Sequence, residues 1–471
     1  MTVVLQDRGD MTLANYHRVA WRGETVQIGE VALGRMAESR QALLRMLESD
    51  PDIVVYGTTS GAGDRARVIL TLEEREAQGK QIWRRGWTWG ESWPVRVVRG
   101  ILFARLTNWL EGNGAVRPEL ARAVAGMLDG RPLPPVPMFG NFGSGEITAL
   151  PHLLGGVGEL VGGTEIKEPM ELINGSPCAA SLVADCALRG RRLLGLAHLV
   201  FALSSEAILA PLEQFDEALE DLWGDEHETE ALRTARFLLA GGAAQRRSYQ
   251  APVSWRVLPR MLGQAHRAVA LAEQAAETSL RSVTDNPVYL PPDADHPRGR
   301  AFSTGGYHNA MAYPAIDALA SSWADLAQLC ERQVERFFSP MEQGELTALP
   351  LSYMVAVAFA EDAREAAQVT LVGLGGLGQN DTSSPTPAAW GKAQRVAKAF
   401  ESALTVLAAV SSYAFDVAGR TATPATEPFL SEVRERFPTG LDRNEQGDAA
   451  ASLNEFFTSC SYSDRFAGTG S

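Results

Sequence analysis

The sequence predicts a mainly α-helical protein: a long central helical bundle preceded by an N-terminal domain containing both helix and strand. Three observations carry this. Apolar residues step by three or four across 309–337, through Ile316, Leu319, Trp323, Leu326, Cys330, Val334 and Phe337, which makes one continuous helix face. Residues 388–415 repeat the pattern with Val396, Phe400, Leu404 and Leu407. Residues 1–30 instead mix short β-prone runs, Val3–Leu5 and Thr25–Ile28, with polar turns. The first domain is expected to cover 1–190 and the long-helix domain 191–471. Helices with so much apolar surface predict a bundle that continues into other copies of the chain.

The elements follow in order. A helical pattern starts at Val31 and stops at Ser49-Asp50-Pro51, where proline forbids continuation. The run Ile53-Val-Val-Tyr56 reads as strand-like and opens into a loop with Gly57, Gly61 and Gly63. Trp83, Trp87, Trp89 and Trp93 crowd the next stretch, a density usual in cores and interfaces. A helix follows with Val98, Ile101, Leu102 and Leu106 on one face, stopped by Gly112-Asn113-Gly114, and Arg117-Pro118-Glu119 opens another. From about Arg192 the chain is predominantly helical, and its run Leu193–Leu212 is nearly apolar all round, so that run should be buried on most faces. Gly373-Leu-Gly375-Gly376-Leu-Gly378 fits a dinucleotide-binding pattern but lacks the βαβ setting that chemistry needs, and reads as a flexible loop.

Bulk properties bound the function. The chain has 471 residues, 45% hydrophobic and 21% charged, enough for a large core and more than one domain. Its formal net charge is -14, which argues against nucleic acid or an anionic membrane as partner. The four cysteines form no C-x-x-C pair, so neither a zinc ribbon nor a disulfide framework is expected. No signal peptide and no uninterrupted apolar run of about 18 residues is visible, so a cytoplasmic protein without a membrane span is the expectation.

The stretch with the most chemistry is Pro135–His152, PVPMFGNFGSGEITALPH. Ser144 lies between Gly143 and Gly145, in a segment whose dihedrals glycine leaves unusually free. A turn tight enough lets the Gly145 nitrogen reach the carbonyl carbon of residue 143. Loss of water closes that ring, and loss of a second from Ser144 leaves an exocyclic methylidene, an electrophile made from protein alone. On its own the tripeptide is ordinary loop sequence.

Taken together, these segments resemble the aromatic amino acid ammonia-lyase and aminomutase family, which includes histidine, phenylalanine and tyrosine ammonia-lyases. Tyr56 to Gly63 is similar to the family's Y-G-x-x-T-G-F-G, and Phe139 to His152 to its electrophile segment. Leu172-Ile-Asn174-Gly-Ser, Gln250 to Gly263, Ser282 to Pro287, Ser303 to His308 and Cys330 to Arg336 follow in family order. The resemblance implies an ammonia-lyase-like fold, a homotetramer with sites shared between subunits, and no metal or diffusible cofactor. Its electrophile would be a methylidene-imidazolone from Gly143-Ser144-Gly145.

The implied roles carry over residue by residue. Tyr56 would remove the β-proton, and Ser144 would supply the carbon that takes up the substrate amine. Asn174 would hold the amine or the ring oxygen. Arg256 would bind the substrate carboxylate in a fork, Gln250 and Tyr307 would line the site, and Asn286 would support it. Trp87 falls where the family reads the substrate ring.

The chain also departs from the family. Gly143 replaces alanine, and Glu146 replaces aspartate. Val253 replaces a tyrosine, and Arg260 replaces a glutamine and suggests a second anionic group. The altered late loop falls on Asn380-Asp381 counted from Ala360-Glu361 or on Ser384-Pro385 counted back from Trp390-Gly391, and Asp381 is taken as its acidic residue. Three readings stay open: a lyase or 2,3-aminomutase on an α-amino acid, aromatic by the resemblance; an electrophile-free enzyme acting on a carboxylate substrate; and a catalytically silent homologue.

Overall fold

The computed structural model describes residues 1–80, 86–141, 143–338, 349, 351–376, 378–460 and 462. Trp83, Phe142 and Leu377 lie outside the described residues. The chain is mainly helical, and its described strands are short pairs: Thr2–Leu5 parallel to Thr25–Ile28, and two antiparallel hairpins, Val288–Leu290 with Arg300–Phe302 and Gly373–Leu374 with Thr382–Ser383.

The chain divides into two compact units. The first holds Met1–Asp185, Ala272–Ala315 and Thr370–Trp390; the second holds Cys186–Leu271, Ile316–Val369 and Gly391–Ser471. The expected break at 190 is close to Asp185, but the rest of the chain is not one helical domain, because it returns twice to the first unit. Four of the five crossings fall inside helices, namely Pro177–Ala207, Leu258–Arg281, Ala312–Phe337 and Thr386–Val417. A continuous hydrogen-bonded helix leaves no Gly- or Pro-rich linker to mark a boundary.

In the first unit, the Glu30–Ser49 helix lays Leu43, Met46 and Leu47 against Val55, Ala115 and Tyr289. Ile53–Val55, expected as a strand, is irregular backbone that enters a turn at Tyr56. Thr59 explains the difference: its hydroxyl donates to Ile53 O at 2.6 Å and accepts from Val55 N–H at 2.7 Å, so the backbone groups fold inward rather than joining a ladder. The Val95–Leu110 helix, expected to bury one face, is buried all round from Val97 onward. That enclosure takes in Arg105, whose guanidinium donates to the backbone carbonyls of Glu171 and Asn174.

In the second unit, the periodic positions of the Ala312–Phe337 helix, from Ile316 to Phe337, are no more than 2% exposed. Trp323 stacks on Phe400 with ring centroids 5.5 Å apart, and Trp255 meets Phe337 edge-on at 6.1 Å. Full burial of each such side chain contributes about 1.5–3 kcal/mol. Among the described residues, the Thr386–Val417 helix is long and apolar enough to cross a membrane by length and composition, and 72% of its apolar window is buried, as in a core helix.

Candidate active site

A cavity of about 500 Å³ lies within the first unit, and its wall comes from six stretches of chain. Tyr56 and Gly63 come from the Thr59-closed loop. Ser144, Gly145 and Ile147 come from the glycine-rich turn, and Met170, Ile173 and Asn174 from the Glu168–Ile173 helix and its end. Asn286, the segment Ser303–Tyr307, and Gln379 with Asn380 complete it. Among the described residues, no lining side chain carries a formal charge at neutral pH.

Tyr56 is held at the phenol oxygen, which accepts from Gly63 N–H at 2.8 Å. Gln78 fixes the same loop by donating to Gly57 O at 2.8 Å and Ser60 O at 3.3 Å. The loop therefore positions Tyr56 without relying on its hydroxyl alone.

The turn at 143–146 has three successive special features. Gly143 has φ 144°, Gly145 has φ 70°, and Glu146 follows at φ 56°. Positive φ is strained for residues with a Cβ, so the glycine at 143, where the family favours alanine, suits this backbone. At Gly145 a Cβ would come within 2.7 Å of Asn174 Oδ1. Glu146 holds its strained conformation through its carboxylate, which accepts from Cys178 N–H at 2.6 Å and Ala179 N–H at 2.7 Å, at the N-terminus of the Pro177–Ala207 helix.

Burial pushes the Glu146 carboxyl up to about 7, against the Ala179 and Cys178 amides, which pull it down. Between pH 4.5 and about 7, the unfolded chain has released this proton while the folded chain keeps it. Stability contributed by this group is therefore full below pH 4.5 and lost as pH rises through about 7. The loss is up to about 3 kcal/mol for a wholly enclosed carboxylate, and less for this half-buried one. Urea midpoints near pH 5 and pH 7.5 should show this fall in the wild type and not in Glu146→Gln.

Asn174 extends from the end of its short helix, with its carbonyl accepting from Arg105 at 2.7 Å. Its Nδ2 donates to Asn286 O at 3.2 Å, while its Oδ1 is buried without a hydrogen-bond partner among the described residues. Asn286 in turn accepts at Oδ1 from Ser303 Oγ and Thr304 N–H, both at 3.0 Å, which ties the Tyr307 segment to the wall. An orphaned buried carbonyl beside a glycine that cannot carry a Cβ is a fit for a ring built from 143–145: Asn174 and Asn286 would hold it.

The late hairpin reaches the same turn. Ser144 Oγ donates to Asn380 Oδ1 at 2.6 Å, and Ser384 N–H donates to Gly143 O at 3.3 Å. Asp381, expected as the acidic residue here, is exposed and does not line the cavity; its carbonyl accepts from Gly375 N–H at 3.0 Å. The hairpin register turns Asn380 inward in its place.

The structure thus gathers Tyr56, Ser144, Gly145, Asn174, Asn286 and Tyr307 around one cavity, with Gly143 beside it. It does not gather the others. Gln250, Val253 and Arg256 belong to the second unit and are exposed. Arg256 donates from Nε to Ala251 O at 2.9 Å, and its Nη nitrogens have no partner among the described residues. Arg260, expected to face a second anionic group, is already committed: it pairs with Glu228 at 2.7 Å and lies over Trp223 at 4.0 Å. Trp87 is 94% exposed and outside the cavity wall, in a loop that Thr88 ties to His152 at 2.8 Å. Sequence reasoning missed Gln379, Met170 and Ile173, which carry no motif beyond their neighbours. Among the described residues, no group of three or more His, Cys, Asp or Glu side chains could hold a metal ion.

This helical fold with a glycine-flanked serine at its cavity defines a class, and the comparisons name it. The aromatic amino acid lyase family matches residues 11–165 and 162–435, and the chain belongs to that family. Histidine ammonia-lyase from Caldanaerobacter subterraneus subsp. tengcongensis is 26% identical over 364 residues, covering 71% of this chain and 70% of that protein. The histidine ammonia-lyase of Deinococcus radiodurans is 29% identical over 368 residues, covering 71% and 68%. Ergothionase from Treponema denticola superposes with a TM-score of 0.86 at 19% identity, over 98% of this chain and 99% of that one. Tyrosine aminomutase from Streptomyces globisporus gives 0.84 at 21% identity, over 97% of each. At these identities the solved structures establish the fold.

Proposed function

We propose that the protein eliminates ammonia from an α-amino acid with a neutral aromatic side chain, or moves its amino group to the β-carbon, as a carbon–nitrogen lyase or 2,3-aminomutase. The observation that carries this reading is the convergence of Tyr56, the Ser144-Gly145 turn and Asn174 on one cavity. Gly143-Ser144-Gly145 would mature into a methylidene-imidazolone, which supplies an electrophile for the substrate amine. Tyr56 takes the β-proton at its phenol oxygen, with the Gly63 amide holding that oxygen in place. Ile147, Met170 and Ile173 give an aromatic ring an apolar wall, and Ser303, Thr304 and Gln379 add neutral hydrogen-bonding groups.

Among the described residues the cavity wall has no cation, which supports a carboxylate partner brought from another copy. Arg256 is the residue we assign to that task, in a homotetramer with shared sites; its fork suits a carboxylate. The test is intact mass with peptide mapping across 138–152. The expected mass is two waters lighter than the sequence, with the loss confined to 143–145 and absent in Ser144→Ala. Ammonia release and β-amino products from a panel of amino acids then separate lyase from mutase. An unmodified mass overturns the reading.

A further inference from the structure

The late hairpin makes two contacts with the tripeptide, and each falls on a group that maturation must change. Ring closure forms a bond from the Gly145 nitrogen to the Gly143 carbonyl carbon. The carbonyl oxygen leaves as water with the Gly145 and Ser144 amide protons, and a C=N bond forms between Gly143 C and Ser144 N. The second step removes the Ser144 Cα proton and the Oγ hydroxyl as water, leaving a Cα=Cβ double bond. Neither step needs an oxidant. The Ser384 N–H points at Gly143 O at 3.3 Å, the oxygen that gains charge in the first step. The Asn380 Oδ1 holds Ser144 Oγ at 2.6 Å, the group that departs in the second.

Resting on the proposed function, we infer that Asn380 is a positioning residue for maturation: it fixes the Ser144 hydroxyl in one rotamer while the hairpin backbone polarises the Gly143 carbonyl. A serine side chain otherwise samples three staggered rotamers, and elimination needs the Cβ–O bond aligned with the electrons left at Cα. Asn380 suits this task because its side-chain carbonyl contributes an acceptor oxygen at the Ser144 hydroxyl.

The test follows intact mass over time after the full chain is made by cell-free translation and synthesis is stopped. Asn380→Ala should lose its two waters about threefold to tenfold more slowly, the rate equivalent of one hydrogen bond. Asn380→Asp keeps an acceptor oxygen and should mature much as the wild type does. Asn380→Leu, similar in size and without an acceptor, should be slow as well, which covers the case in which alanine loosens the loop. Maturation of Asn380→Ala and Asn380→Leu at the wild-type rate overturns the inference, as does an Asn380→Asp variant as slow as they are. A wild type that never loses water overturns the functional reading itself and this inference with it.

Discussion

Tyr56→Phe should lower the rate of ammonia or β-amino product formation by about 10²–10⁴-fold, the usual contribution of a positioned general base. The mass should still be two waters lighter than the sequence. The substitution removes one oxygen and leaves the Gly63 amide without its acceptor. It leaves the bonds from Thr59 to Ile53 and Val55, and those from Gln78 to Gly57 and Ser60, that shape the loop. The fold and the 143–145 turn should therefore survive, and the loss should fall on the chemical step. Steady-state kinetics beside intact mass checks this. A variant with an unchanged rate would move the base elsewhere in the cavity.

Lys167→Met should destabilise the protein by about 3–5 kcal/mol, the usual consequence of leaving buried charge without its partner. The Lys167 ammonium is fully enclosed with the carboxylates of Glu171 and Asp285, and it also donates to Gly114 O at 2.9 Å. Burial pulls the lysine down, and the two carboxylates more than offset it, so its pKa is raised. Burial and the nearby Asp285 carboxylate push Glu171 well above its ordinary value. The ammonium thus sits between two acidic groups in a space closed to water. Methionine leaves two acidic groups facing each other in an enclosed space. Urea midpoints measure the loss. Adding Glu171→Gln and Asp285→Asn should recover most of it, because enclosed ion pairs give little net stability over neutral replacements. The cluster bears on the site through the chain: Asn174 follows Glu171 by one helical turn, and Asn286 follows Asp285 directly.

The long helices were legible because a buried face repeats every three or four residues, as Ile316 to Phe337 does over one helix. Tyr56, Ser144, Asn174, Asn286 and Tyr307 were legible through ordered motifs, and the fold brings them to one cavity. Three things were not legible. The division into units hides inside unbroken helices. The inward residue of the late hairpin depends on a register that no local pattern sets, so the resemblance points to Asp381 while Asn380 faces in. The resemblance puts Trp87 and Arg260 at the site, but the first is exposed and the second is held by Glu228 and Trp223. A side chain's partner across the fold is a property of packing, and a single strand of sequence does not carry it.

The contact between Ser144 and Asn380 closes a loop of 236 residues. A ribosome adding about 5–20 residues per second needs roughly 10–50 s to cover that span. The first unit therefore stays unfinished through much of synthesis, although its N-terminal segment emerges early. On the proposed reading, the reactive carbon forms near the end of biosynthesis. A nascent chain still searching for its fold then carries an unreacted serine, in surroundings crowded with cellular thiols and amines.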